Sequence, residues 1–88
     1  VVFEFDPAKS AANRAKHGID FDEAQALWLD AHLLELGTVL YGTEERRLYV
    51  GEIAGRRWTA VVTFRGDAIR IVSVRRARRS EEMAYDER

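Results

Sequence analysis

Cysteine is absent from the 88-residue chain, proline occurs once, and no lysine follows Lys16. Without cysteine there is neither a disulfide framework nor a thiolate metal site, and a reducing cytoplasm is the natural setting. No apolar run approaches the roughly 20 residues needed to cross a bilayer, and the first residues lack the positive-then-apolar order of a signal peptide. Repeats, low-complexity segments and Pro/Gly/Ser-rich linkers are missing too, so residues 1–88 are expected to form one domain. His17 and His32 lie far apart in the sequence, and neither has a carboxylate at a ligand spacing, so no metal or cofactor is expected.

Charge is present and unevenly placed. Residues 1–45 hold three basic against nine acidic side chains, net −6, whereas residues 46–88 hold eleven arginines against six acids, net +5. The arginine fork pairs bidentately with phosphate or carboxylate and stacks on bases, which an ammonium group does not do. Segregation of this kind points to a polyanion or an acidic protein partner, with cross-pairing to the acidic half as the plain alternative.

The pattern along the chain predicts β-α-α-β-β-β-β-α. Val1 to Phe5 reads as an opening strand. Asp6-Pro7 is a helix start, because aspartate caps free N–H groups and proline at the first helical position loses no needed donor. This helix runs to about His17 and stops at Gly18. Ala8, Ala11, Ala12 and Ala15 share a face that would let it lie close to a neighbour, and Lys9, Asn13 and Lys16 or His17 share another. Asp20 or Asp22 caps a second helix to about Leu29. Leu33 to Leu40, Arg46 to Ile53, Trp58 to Phe64 and Ala68 to Arg75 read as strands, with an irregular stretch through Gly42-Thr43 and turns at Ala54-Gly55 and Gly66-Asp67. Ser80 is the expected cap of a last helix. The fold class is α+β, helices packed on a twisted antiparallel sheet.

Metal-free RNA cleavage needs a base, an acid and fixed cations around the phosphate. Strand alternation ends the more polar face of the third main strand at Arg65. Arg70 lies mid-strand and needs a partner, either a carboxylate such as Glu4 or Asp6 or a phosphate. His17 is able to exchange protons near neutral pH but also suits a helix end. Tyr85 reads as packing or as a hydrogen-bonding group near the arginines.

The stretches "FEFDPAKSAANRAKHGIDFDEAQALWLD" and "EERRLYVGEIAGRRWTAVVTFRGDAIRIVSVRRA", followed by Glu81 and Tyr85, resemble the BrnT family of type II toxins. Asp6-Pro7 with Lys9, Asn13, Lys16-His17-Gly18, Arg65-Gly66, Arg70-Ile71 with Ser73, and Arg75 to Ala77 carry the likeness. It implies a RelE-like, metal-independent endoribonuclease that arrests translation when free. It also implies a BrnA-like ribbon-helix-helix antitoxin, which forms a heterotetramer with the toxin and supplies the DNA contact. Carried over residue by residue, His17, Arg65 and Arg75 are the expected catalytic group. Lys9, Asn13, Lys16, Arg70, Arg76 and Tyr85 are the expected RNA contacts. Phe5, Arg78 and Glu82 depart from the family pattern. The reading that competes with an enzyme is a non-catalytic module whose arginines dock an acidic protein or RNA.

Overall fold

Asp6 ends one element and begins the next. In the computed structural model, which describes residues 1–87, β1 (Val2–Glu4) gives way within three residues to α1 (Pro7–His17). The Asp6 carboxylate accepts the Ala8 N–H at 2.8 Å, and Gly18, at φ 82°, closes the helix by donating its N–H to the Arg14 carbonyl. That left-handed turn is open to glycine without a side-chain penalty.

A short 3-10 helix, Glu23–Leu29, follows in place of the expected second α-helix. Its start is a reciprocal capping box in which Glu23 N–H donates to Asp20 Oδ1 and Asp20 N–H donates to Glu23 Oε1. Asp20, rather than Asp22, is therefore the capping side chain. At seven residues the segment is longer than most runs of the tighter i→i+3 pattern.

Four strands then form a meander, β2 (Leu34–Tyr41), β3 (Glu44–Ile53), β4 (Arg56–Arg65) and β5 (Ala68–Arg76). The sheet order is β1-β5-β4-β3-β2. The meander gives the expected α+β fold its antiparallel sheet, and β1 adds a parallel edge strand beside β5, so the five-stranded sheet is mixed. The helices and the meander between them provide the long crossover a parallel pair requires. Gly42-Thr43 is a tight turn, and β3 starts two residues earlier than the alternation indicated.

One sheet face carries the core. Trp58, Ala60 and Val62 of β4 and Ile69, Ile71 and Val74 of β5 pack against Ile19, Phe21, Ala24 and Leu27. Gly51 admits this cover closely, since a Cβ there would sit 2.9 Å from Leu33 Cδ1 and 3.0 Å from Leu27 Cδ2.

α1 lies along the edge of β5 and reverses the expectation about its faces. Its alanines at 8, 11, 12 and 15 are exposed, while Ser10 and Asn13 are buried. The reason is where the helix sits. Beyond Glu4, β1 no longer pairs with β5, so the protein's edge offers backbone groups to satisfy rather than an apolar surface to cover. Asn13 Nδ2 donates to the carbonyls of Val74 and Ile19 at 2.8 Å each, and Asn13 Oδ1 accepts the Val74 N–H at 3.2 Å. Ser10 Oγ accepts the Phe21 N–H.

α2 (Arg79–Glu87) is anchored by an acid in its first turn. Ser80 lies inside the helix, not at its cap, and Glu81 instead reaches back to the Arg78 N–H at 2.8 Å. The same carboxylate takes two bonds from Arg75, at 2.7 and 2.9 Å, and one from Thr59 Oγ1. Burial pushes the Glu81 carboxyl up, but the bonds from Arg75, Arg78 and Thr59 outweigh it and hold the group at about 2. At the other end Tyr85 donates to Asp30 Oδ2, which also accepts the Glu52 N–H. Burial pushes Asp30 up as well, and its bonds from Tyr85, Glu52 and His32 bring it below the ordinary carboxylate value.

Two outcomes are expected. Asn13→Ala leaves buried peptide groups at Val74 unpaired and should lower stability by about 3 kcal/mol in urea unfolding. Asn13→Asp should do no better, because a carboxylate cannot donate to the Val74 carbonyl. For Glu81 the folded carboxyl lies below its ordinary value of 4.5, so its contribution is present above that pH and is lost as pH falls toward 2. Glu81→Gln should destabilise by about 2 kcal/mol at neutral pH and flatten the acid limb of a stability profile below pH 4.5.

Candidate functional site

Strand alternation gives the face opposite the core Thr59, Val61, Thr63 and Arg65 from β4. β5 adds both Arg70 and Arg75, though these lie five positions apart and a regular strand would send them to opposite sides. A bulge resolves the conflict. Val61 pairs with Ser73 but Val62 pairs with Ile71, so Val72 is an extra residue that shifts the alternation by one. Arg70 then pairs with Thr63 and Arg75 with Thr59, on the same side of the sheet. The same shift moves the core positions from Ile69 and Ile71 to Val74.

Two adjoining hollows mark this face. The first is lined by Lys9 from α1 with Arg46, Thr63 and Arg70, and by two acids, Asp6 and Glu44. The second, of about 340 Å³, has Leu48, Val61 and Val72 as an apolar floor and Arg46, Arg75 and Arg78 among its lining. Arg46 and Val72 belong to both. The face is thus continuous from α1 to the start of α2.

The cations differ in how firmly they are held. Arg75 is committed, its side chain 20% exposed against an 11% exposed Glu81. Glu81 also raises its affinity for the proton above the ordinary arginine value. Arg70 and Arg65 share one carboxylate, Glu4, at 4.0 and 3.8 Å. Glu4 is thus the carboxylate partner expected for Arg70, held at long range. Arg46 pairs with Glu44 at 2.7 Å and lies 4.0 Å from the centre of the Tyr41 ring. Lys9 and Arg78 have no carboxylate within ion-pair distance among the described residues. An anion entering the face meets partly balanced charge at Arg70 and unbalanced charge at Lys9 and Arg78.

Of the residues singled out from the sequence, Lys9, Arg70 and Arg75 come together on this face, and Arg65 adjoins it. The others are placed elsewhere. Asn13 has both amide hydrogens bonded to backbone carbonyls, which leaves it none to donate to a ligand. His17 continues the stripe of Ser10 and Asn13, partly buried, and like Lys16 it lines neither hollow. Arg76 pairs with Trp58 in register and lies over that ring at 5.5 Å, on the core side. Tyr85 is buried and bonded to Asp30. Arg46, Arg78 and Tyr41 were missed. Arg46 was within reach, since it alternates with Leu48 and Val50 along β3, whereas Arg78 lies in a loop whose direction no periodicity encodes.

Among the described residues no group of three His, Cys, Asp or Glu side chains converges as a metal site, and no helix is long and apolar enough to cross a membrane. What converges is a set of guanidinium groups around an apolar floor, a chemistry matched to phosphate and flat rings. Comparison with curated proteins gives no match. A family model described as the ribonuclease toxin BrnT of type II toxin-antitoxin systems matches residues 5–81, a span holding β2 to β5, α1 and every arginine of the two hollows. The chain belongs to the BrnT family, ribonuclease toxins whose type II systems pair them with a protein antitoxin.

Proposed function

We propose that this toxin cleaves RNA without a metal ion on the arginine face and thereby arrests translation in the cytoplasm. The observation that carries this reading is the convergence of Arg46, Arg70, Arg75 and Arg78 with Lys9 on one side of the sheet. In metal-free cleavage the 2′-oxygen bonds to phosphorus as the bond to the 5′-oxygen breaks, with a proton leaving the first and one reaching the second. Negative charge grows on the non-bridging oxygens, and fixed guanidinium groups stabilise that growth more than they stabilise the ground state. Lys9 and Arg78 are the groups with least competition from carboxylates, Arg70 is held only at 4.0 Å by Glu4, and Arg75, fixed by Glu81, needs no reorganisation to act. Arg65 adds a further cation beside Arg70, partly offset by the Glu4 carboxylate that the two share.

The antitoxin in this reading is a BrnA-like ribbon-helix-helix protein that forms a heterotetramer with the toxin and covers the same face. DNA contact then belongs to the antitoxin. Charge complementarity between an acidic segment and the arginines would speed capture and make it salt-sensitive.

The bidentate Arg75–Glu81 pair favours a second reading, in which the face docks an acidic protein or RNA and does no chemistry. Partner-free toxin incubated with RNA in EDTA separates the two. Cleavage under those conditions supports the enzyme, and tight partner binding with intact RNA supports the module. Arg70→Ala and Arg75→Ala should each slow cleavage about 100-fold or more and relieve growth arrest, with unchanged circular dichroism for Arg70→Ala. His17→Gln distinguishes proton transfer from packing, since a lost alkaline or acid limb in the pH–rate profile belongs only to the first. Raising salt from low to high ionic strength should slow antitoxin association about tenfold or more.

A further inference from the structure

We propose that the larger hollow is a subsite for one unpaired base of single-stranded RNA, walled by Tyr41 and Arg46. This deepens the ribonuclease reading and rests on it. The floor comes from three neighbouring strands, Leu48 of β3, Val61 of β4 and Val72 of β5. Val72 reaches it as the extra residue of the bulge, so the distortion that aligns the arginines also completes this floor. With Val39 and Tyr41 on β2, the hollow crosses four strands, about 14 Å at the usual inter-strand spacing. That is room for a base with its sugar.

The chemistry of the lining selects the occupant. The Arg46 guanidinium lies over one face of the Tyr41 ring, 4.0 Å from its centre, and Tyr41 is 60% exposed at the sheet edge, so a flat cation and a flat aromatic already form one wall. Among the described residues no acidic side chain lines this hollow, and Arg78 enters it with no carboxylate within ion-pair distance. A purely electrostatic phosphate site gains nothing from an apolar floor. A base offers a π-face to the floor and the wall while its phosphate meets Arg78 or Arg75. In a duplex the bases are stacked inward and their faces are unavailable, so the subsite is selective for single strands.

The test uses a short single-stranded RNA with 2′-O-methyl riboses, which lacks the attacking hydroxyl and therefore reports binding apart from cleavage. Affinity is read by fluorescence anisotropy for the full chain and for Tyr41→Ala and Arg46→Lys. Tyr41 is exposed, and thermal melting checks that both variants fold. Tyr41→Ala should weaken binding about tenfold. Arg46→Lys should weaken it too, although it keeps the charge. Removing the base at one position of the oligonucleotide should cost the wild type a similar factor and cost Tyr41→Ala nothing more. A duplex of the same sequence should bind the wild type more weakly than the single strand.

Wild-type affinity in both variants would overturn the subsite, as would equal losses on the intact and abasic strands. Loss of antitoxin capture with unchanged RNA affinity would assign the hollow to the protein partner instead. If unmodified RNA is left intact by the wild type while the binding pattern holds, the cleavage reading fails and the subsite stands.

Discussion

One asparagine amide facing the backbone N–H and carbonyl of one residue, Val74, sets the geometry of this toxin. β1 ends at Glu4, and the Val74 N–H and carbonyl, farther along β5, would face an edge with no strand beside it. Asn13 supplies both the donor and the acceptor that a neighbouring strand would have offered. Leaving those groups unpaired would cost a sizeable share of the 5–15 kcal/mol by which domains are typically stable. The bond also fixes β5 two residues beyond the extra Val72, so the bulge is held between a regular ladder on one side and an amide on the other. Through the bulge Arg70 and Arg75 share a face, and Ile71 and Val74 share the core. A sheet without it would lose one or the other.

The arginines of that face are not equivalent, and distance separates them. Ion pairs at 3.8 to 4.0 Å between partly exposed groups, such as those Glu4 makes with Arg65 and Arg70, contribute little to stability and exchange readily for phosphate. The bidentate Arg75–Glu81 pair, backed by Thr59 and the Arg78 N–H, is part of how α2 is attached. Arg75 is therefore a rigid cation and Arg70 an available one. A catalyst that must stabilise growing charge without waiting for side chains to rearrange benefits from the first, and a binding surface from the second.

Helix α1 shows how burial follows position rather than composition. Its alanines look like a packing face and are exposed, because an edge strand presents peptide groups and only polar side chains answer them. The charged start of β3 teaches the converse. A charged run such as Glu44 to Arg47 has the composition of a solvated surface, yet it delivers Arg46 against Tyr41 and into both hollows.

Sequence alone determined the local elements: Asp6-Pro7 and Gly18 bounded α1, alternation marked the four strands of the meander, and the arginines were already gathered in the second half. Those features depend on near neighbours, where capping, turn chemistry and period leave a direct trace. Only the tertiary structure decided which arginines share a face, that β1 runs parallel to β5, and that Asn13 serves the backbone. A strand's parity beyond a bulge, and the partner of an edge, depend on residues tens of positions away, and periodicity carries no record of them.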